Sequence, residues 1–277
     1  MTNSIPQLEL NDGRSIPQLG FGVFEVPPDE TAETVLHALG TGYRSIDTAA
    51  AYGNEAGVGE AIARSGLRRE EVFITTKLWN GDQGHDSGLA AFEHSLEQLG
   101  MDYVDLYLIH WPAPAQNLYV ETWQALTELK ADGRARSIGV SNFRVDHLQR
   151  IVDATGVVPA VNQIELHPRL QQNELRRAHS EQGIVTEAWS PLGKGSILDD
   201  RTIAEIASAH QRTAAQIVLR WHIQLGNVVI PKSVTPARIE ENFQVFDFEL
   251  SEDEMHALAE LDEGGRIGPD PATFAAA

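Results

Sequence analysis

Four polar residues stand where short apolar runs end. Asp47 follows Arg44-Ser45-Ile46, Tyr52 lies five residues further on, Lys77 follows Ile74-Thr75-Thr76, and His110 follows Tyr107-Leu108-Ile109. Taken singly, each has an ordinary structural explanation. Asp47 would cap a turn, Tyr52 would be a half-exposed aromatic, Lys77 would snorkel to water, and His110 would be a satisfied structural histidine. Together, an acid, a phenol, an ammonium and an imidazole at one mouth form a proton-transfer set. Such a set suits carbonyl reduction, in which arrival of a hydride leaves an alkoxide that needs a proton donor already in place. A phenol titrates near pH ~10, so bringing it to neutrality takes ~3 units, or about 4 kcal/mol. An ammonium at about 4 Å in an effective dielectric near 20 supplies roughly that much, before desolvation and an Asp counter-charge subtract. Lys77 is therefore expected to tune Tyr52, Asp47 to hold Lys77 charged and in place, and a neutral His110 to orient the carbonyl.

Other residue types extend the pattern. Trp79, Trp111 and Trp189 sit at the ends of apolar runs and suit an aromatic-walled cleft that stacks a planar ring, or else three packing residues under loops. Trp123 and Trp221 fall within helical patterns and are expected in the core. Lys232 and Arg238 follow the last run and suggest an anion cradle, because the loops after strands seven and eight of a barrel often hold phosphate. No metal spacing is present. His167 follows Glu165-Leu166, but no helical His-x-x-x-His accompanies it.

The elements that must position these groups are legible as alternating patterns. Strand-like runs cover 18–24, 43–47, 72–77, 103–110, 136–140, 160–165, 184–189 and 227–231. Between them lie helical stripes. Ala32, Val35, Leu36 and Leu39 make one, Leu89, Phe92, Leu96 and Leu99 a second, and Ala214, Ile217, Val218, Trp221 and Leu225 a third. The central runs are nearly continuously apolar, as in a parallel sheet covered on its faces. Eight strands alternating with helices predict an α/β protein, a (β/α)8 TIM barrel, whose chemistry gathers at the C-terminal ends of its strands. A doubly wound sheet is the weaker alternative, since Gly20-Phe21-Gly22 is followed by Glu25 where a dinucleotide fingerprint needs glycine. Leu8–Leu10 and Ser15–Pro17, joined through Asn11-Asp12-Gly13, predict an N-terminal β-hairpin that plugs the bottom of the barrel.

Composition bounds the function. The 277 residues include 21 basic and 40 acidic side chains, a formal charge of −19, which argues against a nucleic-acid partner. With 42% hydrophobic and 22% charged residues the chain is an ordinary globular one, so intrinsic disorder and low-complexity scaffolds are excluded. The absence of cysteine excludes disulfides, iron–sulfur clusters and thiol nucleophiles. No basic-then-apolar leader and no membrane-length apolar stretch is found, so the expected setting is the cytoplasm, without a membrane partner. No internal linker divides the chain, and a single domain over 1–277 is expected.

From about Leu8 to about Asp262 the chain resembles the aldo-keto reductases, most closely their bacterial 2,5-diketo-D-gluconate reductase branch. The likeness rests on Asp47-Thr48-Ala49 with Tyr52-Gly53-Asn54-Glu55, Thr76-Lys77-Leu78-Trp79 and Leu108-Ile109-His110-Trp111-Pro112. It continues through Ile138-Gly139-Val140-Ser141-Asn142, Asn162-Gln163-Ile164-Glu165-Leu166-His167-Pro168 and Ile230-Pro231-Lys232-Ser233. The resemblance implies a barrel that binds NADPH without a Rossmann domain and acts as a monomer on a small carbonyl compound. Residue by residue, it implies that Asp47, Tyr52, Lys77 and His110 are the catalytic tetrad, with Tyr52 as general acid. Ser141, Asn142 and Gln163 would hold the nicotinamide carboxamide, and Trp189 would stack on the nicotinamide. Ser190, Leu192 and Val234 would also contact the cofactor. Lys232, Ser233 and Arg238 would bind its 2′-phosphate, and Asn242 its adenine. Phe24, Trp79 and Trp111, with His110, would line the substrate pocket.

Two departures carry expectations of their own. Position 235 is Thr rather than a basic residue, which implies a softer preference for NADPH over NADH. The loop after Trp111 and the tail after Asp262 are short, which implies an open pocket. The function expected is NADPH-dependent reduction of aldehydes, ketoaldehydes or keto-sugar acids resembling 2,5-diketo-D-gluconate. Two rivals differ in class: a Schiff-base aldolase with Lys77 as nucleophile, and a non-catalytic nucleotide-binding barrel.

Overall fold

The computed structural model describes residues 5–274. The ends of the N-terminal stretch and of the tail, 1–4 and 275–277, lie outside the described residues. A hairpin of β1 (Gln7–Glu9) and β2 (Ser15–Pro17) comes first, paired antiparallel with Leu8 opposite Ile16. Eight parallel strands follow: β3 (Phe21–Gly22), β4 (Ser45–Asp47), β5 (Phe73–Leu78), β6 (Val104–Ile109), β7 (Ala135–Ser141), β8 (Val161–Glu165), β9 (Val185–Trp189) and β10 (Val228–Val229). Each pairs with its neighbour in chain order. The helices between and after them are α1 (Pro28–Thr41), α2 (Glu55–Arg64), α3 (His85–Leu99), α4 (Tyr119–Ala131) and α5 (Val145–Thr155). They continue with α6 (Asn173–Gln182), α7 (Arg201–His210), α8 (Ala214–Gln224), α9 (Pro236–Phe243) and α10 (Glu252–Ala259).

The first and last strands meet, so the sheet closes. Leu19 bridges Val229 in parallel, Val229 N donates to Gln18 O at 3.0 Å, and Gly20 N donates to Val229 O at 2.9 Å. Glycine at 20 lets this seam form, because a Cβ there would lie 3.0 Å from both Ile230 Cγ2 and Ser45 Oγ. The (β/α)8 barrel expected from the alternating runs is thus the observed fold. Its eight runs contain the eight strand cores, although β3 and β10 are only two residues long, being completed by the seam bonds.

Strand alternation sorts the side chains into two cores. On β6, Tyr107 and Ile109 pack outward with the helices, whereas Leu106 and Leu108 fill the barrel interior. Leu10 and Ile16 from the hairpin join Leu106, Leu108, Val161 and Val228 in one buried cluster, so the hairpin plugs the N-terminal end of the barrel. Asn11 Nδ2 donates to Pro159 O at 2.9 Å and fixes the hairpin turn against the barrel. Trp123 and Trp221 are core residues of the helical layer. Among the described residues no helix is long and apolar enough to cross a membrane.

Two histidines are sealed into this framework. His179 sits between Thr186 Oγ1 and Asn162 Nδ2, and His222 faces Pro191 O and Asn227 Nδ2. Burial pushes His179 down to about 4 and His222 down to about 3. Both are neutral in the native protein where the unfolded chain protonates them, below about pH 6.5. Stability should therefore be lost as pH falls from 6.5 towards 4, by about 1.4 kcal/mol per histidine per pH unit. Urea unfolding at pH 7, 6 and 5 measures this, and replacing both by Gln should make the dependence shallower; an unchanged slope in that double variant would contradict the assignment.

Candidate active site

Lys77, one residue before the end of β5, is fully buried. Its Nζ donates to Asp47 Oδ1 at 2.6 Å, to Thr48 O at 2.9 Å and to Tyr52 Oη at 3.4 Å. Asp47 is the last residue of β4, and Tyr52 closes the short helical turn Ala50–Tyr52 that follows. His110 lies just past β6 and meets Tyr52 edge-on, with ring centroids 5.7 Å apart. The loop carrying Tyr52 is tied to the loop carrying Phe24. Thr48 Oγ1 donates to Asn54 Oδ1 at 2.7 Å, while Asn54 Nδ2 donates to Val23 O at 2.9 Å and Val26 O at 3.2 Å. Phe24 in turn packs on the Tyr52 ring at 5.0 Å between centroids.

Burial by itself would lower the Lys77 pKa, but the Asp47 carboxylate beside it, reinforced by Tyr52, holds it above the ordinary range. Lys77 is therefore a fully hydrogen-bonded ammonium, a poor starting point for the Schiff-base chemistry considered above. Tyr52 corrects one expectation. Burial raises its pKa, Lys77 opposes that, Asp47 adds to the rise, and the phenol ends above its usual value. One ammonium shared with Asp47 does not offset the loss of water around the ring. The Tyr52 hydroxyl therefore keeps its proton at neutral pH, the state a donor requires. Burial, aided by Lys77, holds His110 well below the usual imidazole range, so it is neutral.

A second tier of polar groups supports the first. Gln163 Nε2, from β8, donates to Asp47 Oδ2 at 2.8 Å and to Glu187 Oε2, on β9, at 2.9 Å. Ser141 Oγ donates to Gln163 O at 2.9 Å, and Asn142 Nδ2 donates to His110 O at 3.0 Å. Trp189 Nε1 donates to Asn142 Oδ1 at 2.9 Å, which fixes the indole. Asn142 and Ser190 adopt left-handed backbone with φ of 62° and 47°. Such strain, of order 1–3 kcal/mol for a non-glycine residue, recurs where side chains must be aimed.

These groups open onto one cleft of about 1200 Å³. Phe24, Trp79, Trp111, Asp47, Tyr52 and His110 line it together with Ser141, Asn142, Gln163, Trp189, Ser190 and Leu192. Lys232, Ser233, Arg238 and Asn242, from the segment after β10, line the same cleft. Lys77 lies buried behind Tyr52. Val234 is the one proposed contact whose side chain the cleft does not include; it is 44% exposed and faces a groove between α1 and α9.

The tail also departs from the open pocket expected of it. The buried Glu165 carboxylate, at the end of β8, accepts from Ile267 N at 2.6 Å, Gly268 N at 2.8 Å and His167 Nε2 at 3.1 Å. That anchor turns the chain across the mouth, where Phe274 packs on Trp111 at 4.5 Å and on Trp79 at 6.4 Å between centroids. The described tail, 263–274, suffices for a wall because its path is pinned near its start. Sequence reasoning missed Glu187, Gly268 and Phe274. The available signals were a lone carboxylate inside the apolar run 184–189 and a lone aromatic in a Gly/Pro/Ala-rich tail.

The profile of the aldo/keto reductase family matches residues 18–263. An aldo-keto reductase of Mycobacterium sp. (strain KMS) is 60% identical over 97% of this chain and 98% of its own length. The methylglyoxal reductase DkgA of Escherichia coli (strain K12) is 52% identical over 96% of this chain and 97% of its own. The crystal structure of a Gox0644 mutant in complex with NADPH superposes with a TM-score of 0.95 at 55% identity, covering 98% of this chain and 99% of that one.

The site geometry makes a direct prediction at position 268. A Cβ on Gly268 would stand 2.5 Å from Trp189 Cη2 and 2.9 Å from Glu165 Oε2. Gly268→Ala should therefore displace the indole or the tail, shift tryptophan emission, and cost about 1–3 kcal/mol in denaturant unfolding. Unchanged emission and stability would contradict the packing described.

Proposed function

Since the chain belongs to the aldo/keto reductase family, we propose that it reduces aldehydes, ketoaldehydes or keto-sugar acids with NADPH, Tyr52 supplying the proton. It is an NADP-dependent oxidoreductase acting on CH–OH groups and the corresponding carbonyls. The observation that carries the finer reading is the meeting of Tyr52, backed by the buried Lys77, with His110 on a cleft that also contains an indole wall and a basic loop.

The donor set fits the cofactor. Lys232 and Arg238 bring two cations, with the Ser233 hydroxyl, to a chain whose overall charge is −19, and suit a phosphate. Trp189, held by Asn142, offers an indole for stacking, while Ser141, Asn142 and Gln163 offer a hydroxyl and amides for a carboxamide. Thr235 adds no cation, so discrimination by the 2′-phosphate rests on Lys232 and Arg238. When bound, NADPH supplies the hydride.

The chain's own residues do the rest. Neutral His110 and the Tyr52 hydroxyl orient the carbonyl oxygen, and Phe24, Trp79, Trp111 and Phe274 exclude water from it. As negative charge develops on that oxygen, Tyr52 Oη gives up its proton. The Lys77 ammonium, 3.4 Å away, stabilises the phenolate that remains, and Asp47 keeps that ammonium charged and aimed. Lys77 thus acts on the transition state more than on the resting phenol, which reconciles its position with the high pKa of Tyr52. The rings of the mouth and the likeness to a methylglyoxal reductase both favour small ketoaldehydes among the possible substrates.

Tyr52→Phe should lower kcat by about 10²–10⁴-fold while leaving the NADPH Kd, read by tryptophan fluorescence, within threefold. Turnover near the wild-type rate would remove Tyr52 from the role of acid. Lys232→Gly should weaken NADPH by about tenfold, or about 1.4 kcal/mol, and leave NADH nearly unchanged. Equal losses for both nucleotides would contradict a 2′-phosphate contact.

A further inference from the structure

Glu187 occupies the middle of β9 with its side chain turned into the barrel and is 1% exposed. Its Oε2 accepts one hydrogen of Gln163 Nε2, and the other hydrogen of that amide goes to Asp47 Oδ2. A single amide thus joins two buried carboxyl groups. The charged or titratable groups around Glu187 are Asp47 of β4, Lys77 of β5 and Tyr52 of the turn after β4. Its partner on β8 is Gln163, and its partner on β10 is Val228, which brings no charge. This layer therefore holds one ammonium for two carboxyls. Were both ionised, one negative charge would stand uncompensated among buried side chains, which is strongly disfavoured.

A proton on Glu187 removes that excess. We propose that Glu187 is a positioning residue for the reduction: it works as a buried carboxylic acid, and its ionisation weakens Tyr52 as a proton donor. This rests on the reading of Tyr52 as the acid. Burial, with Asp47 beside it, pushes the Glu187 carboxyl up to about 8, so the acid form is the one present at neutral pH. Ionisation sends one proton to solvent and takes the Asp47–Lys77–Glu187 group from neutral to −1. The new charge raises the Tyr52 pKa further, as Asp47 already does, and draws the Lys77 field away from the developing phenolate. Reduction should consequently fail on the alkaline side well before Tyr52 itself, already above its usual value, can titrate.

The test is the pH profile of kcat/KM for methylglyoxal reduction at saturating NADPH, from pH 6 to 10. The wild-type protein should lose about tenfold or more between pH 7 and pH 9.5, with an apparent pKa near 8. In Glu187→Gln, which cannot ionise, that limb should move up by more than one pH unit whatever the rate at neutrality. A limb near 8 that persists in this variant, or an active wild-type enzyme with a flat profile to pH 9.5, would overturn the proposal.

Infrared difference spectra supply a readout that needs no turnover. A protonated-carboxyl band should be present at pH 7, disappear by pH 9.5, and be missing from Glu187→Gln; its presence unchanged in the variant would overturn the proposal. Glu187→Met, of similar volume and equally without a proton, serves for both measurements should the amide variant not fold. A protein that binds NADPH but reduces no carbonyl would sink the functional reading, while the infrared titration would still decide the protonation of Glu187.

Discussion

Everything at the mouth of this barrel depends on one buried ion pair, Lys77 with Asp47, closed to 2.6 Å at the floor of the cleft. An ammonium moved out of water carries a penalty of several kcal/mol, and one carboxylate repays it only when the remaining hydrogen-bonding capacity is also met. Here it is met: Thr48 O and Tyr52 Oη take the other two donors of Nζ. Losing one partner would strand the other charge, at a cost of roughly 3–5 kcal/mol. The pair therefore fixes the geometry of Tyr52 as firmly as packing fixes a core residue. It also explains how a phenol of raised pKa can be a useful acid, since Lys77 stabilises the anion that forms.

The barrel makes such a pair possible. Alternation along parallel strands sends Asp47, Lys77, Gln163 and Glu187 inward at one level, above the apolar layer built from Leu106, Leu108, Val161 and Val228. The hairpin seals that layer from below through Leu10 and Ile16. Apolar packing thus closes the bottom of the barrel, and backbone strain lies at the top, where Asn142 and Ser190 hold left-handed backbone. The tail completes the arrangement. Glu165 pins it by two consecutive backbone N–H groups, and Phe274 then adds an aromatic face to the rings of the mouth.

Much of this was legible in the sequence because the signals were local. Continuous apolar runs such as 72–77 and 103–110 end in polar groups, and strand ends in a barrel converge, so Lys77 and His110 could be brought together without coordinates. The hairpin could be placed from Asn11-Asp12-Gly13 and its flanking apolar residues. Three features could not be read, each for a physical reason. The link from Glu187 to Asp47 depends on the register that sets Gln163 beside Glu187, a property of strand pairing across the sheet rather than of either run. The rise in the Tyr52 pKa comes from burial contributed by distant loops, including the one that carries Phe24. The path of the tail depends on Glu165, about 100 residues earlier in the chain, whose neighbour His167 drew attention only as a metal-ligand pattern that fails. The side chain of Val234, which the resemblance implied as a cofactor contact, faces the groove between α1 and α9, a placement set by the packing of those helices rather than by its own segment.

The central claim is that Lys77 remains a charged, immobile donor inside the barrel and that Asp47 keeps it so. The most direct measurement is the pH titration of the Lys77 side-chain nitrogen by ¹⁵N NMR in protein labelled at lysine. The account predicts an ammonium that shows no titration up to about pH 10.4, the ordinary value for lysine, with slowed hydrogen exchange from its three acceptors. A neutral amine at pH 8, or a signal averaged as for a freely rotating surface lysine, would contradict it.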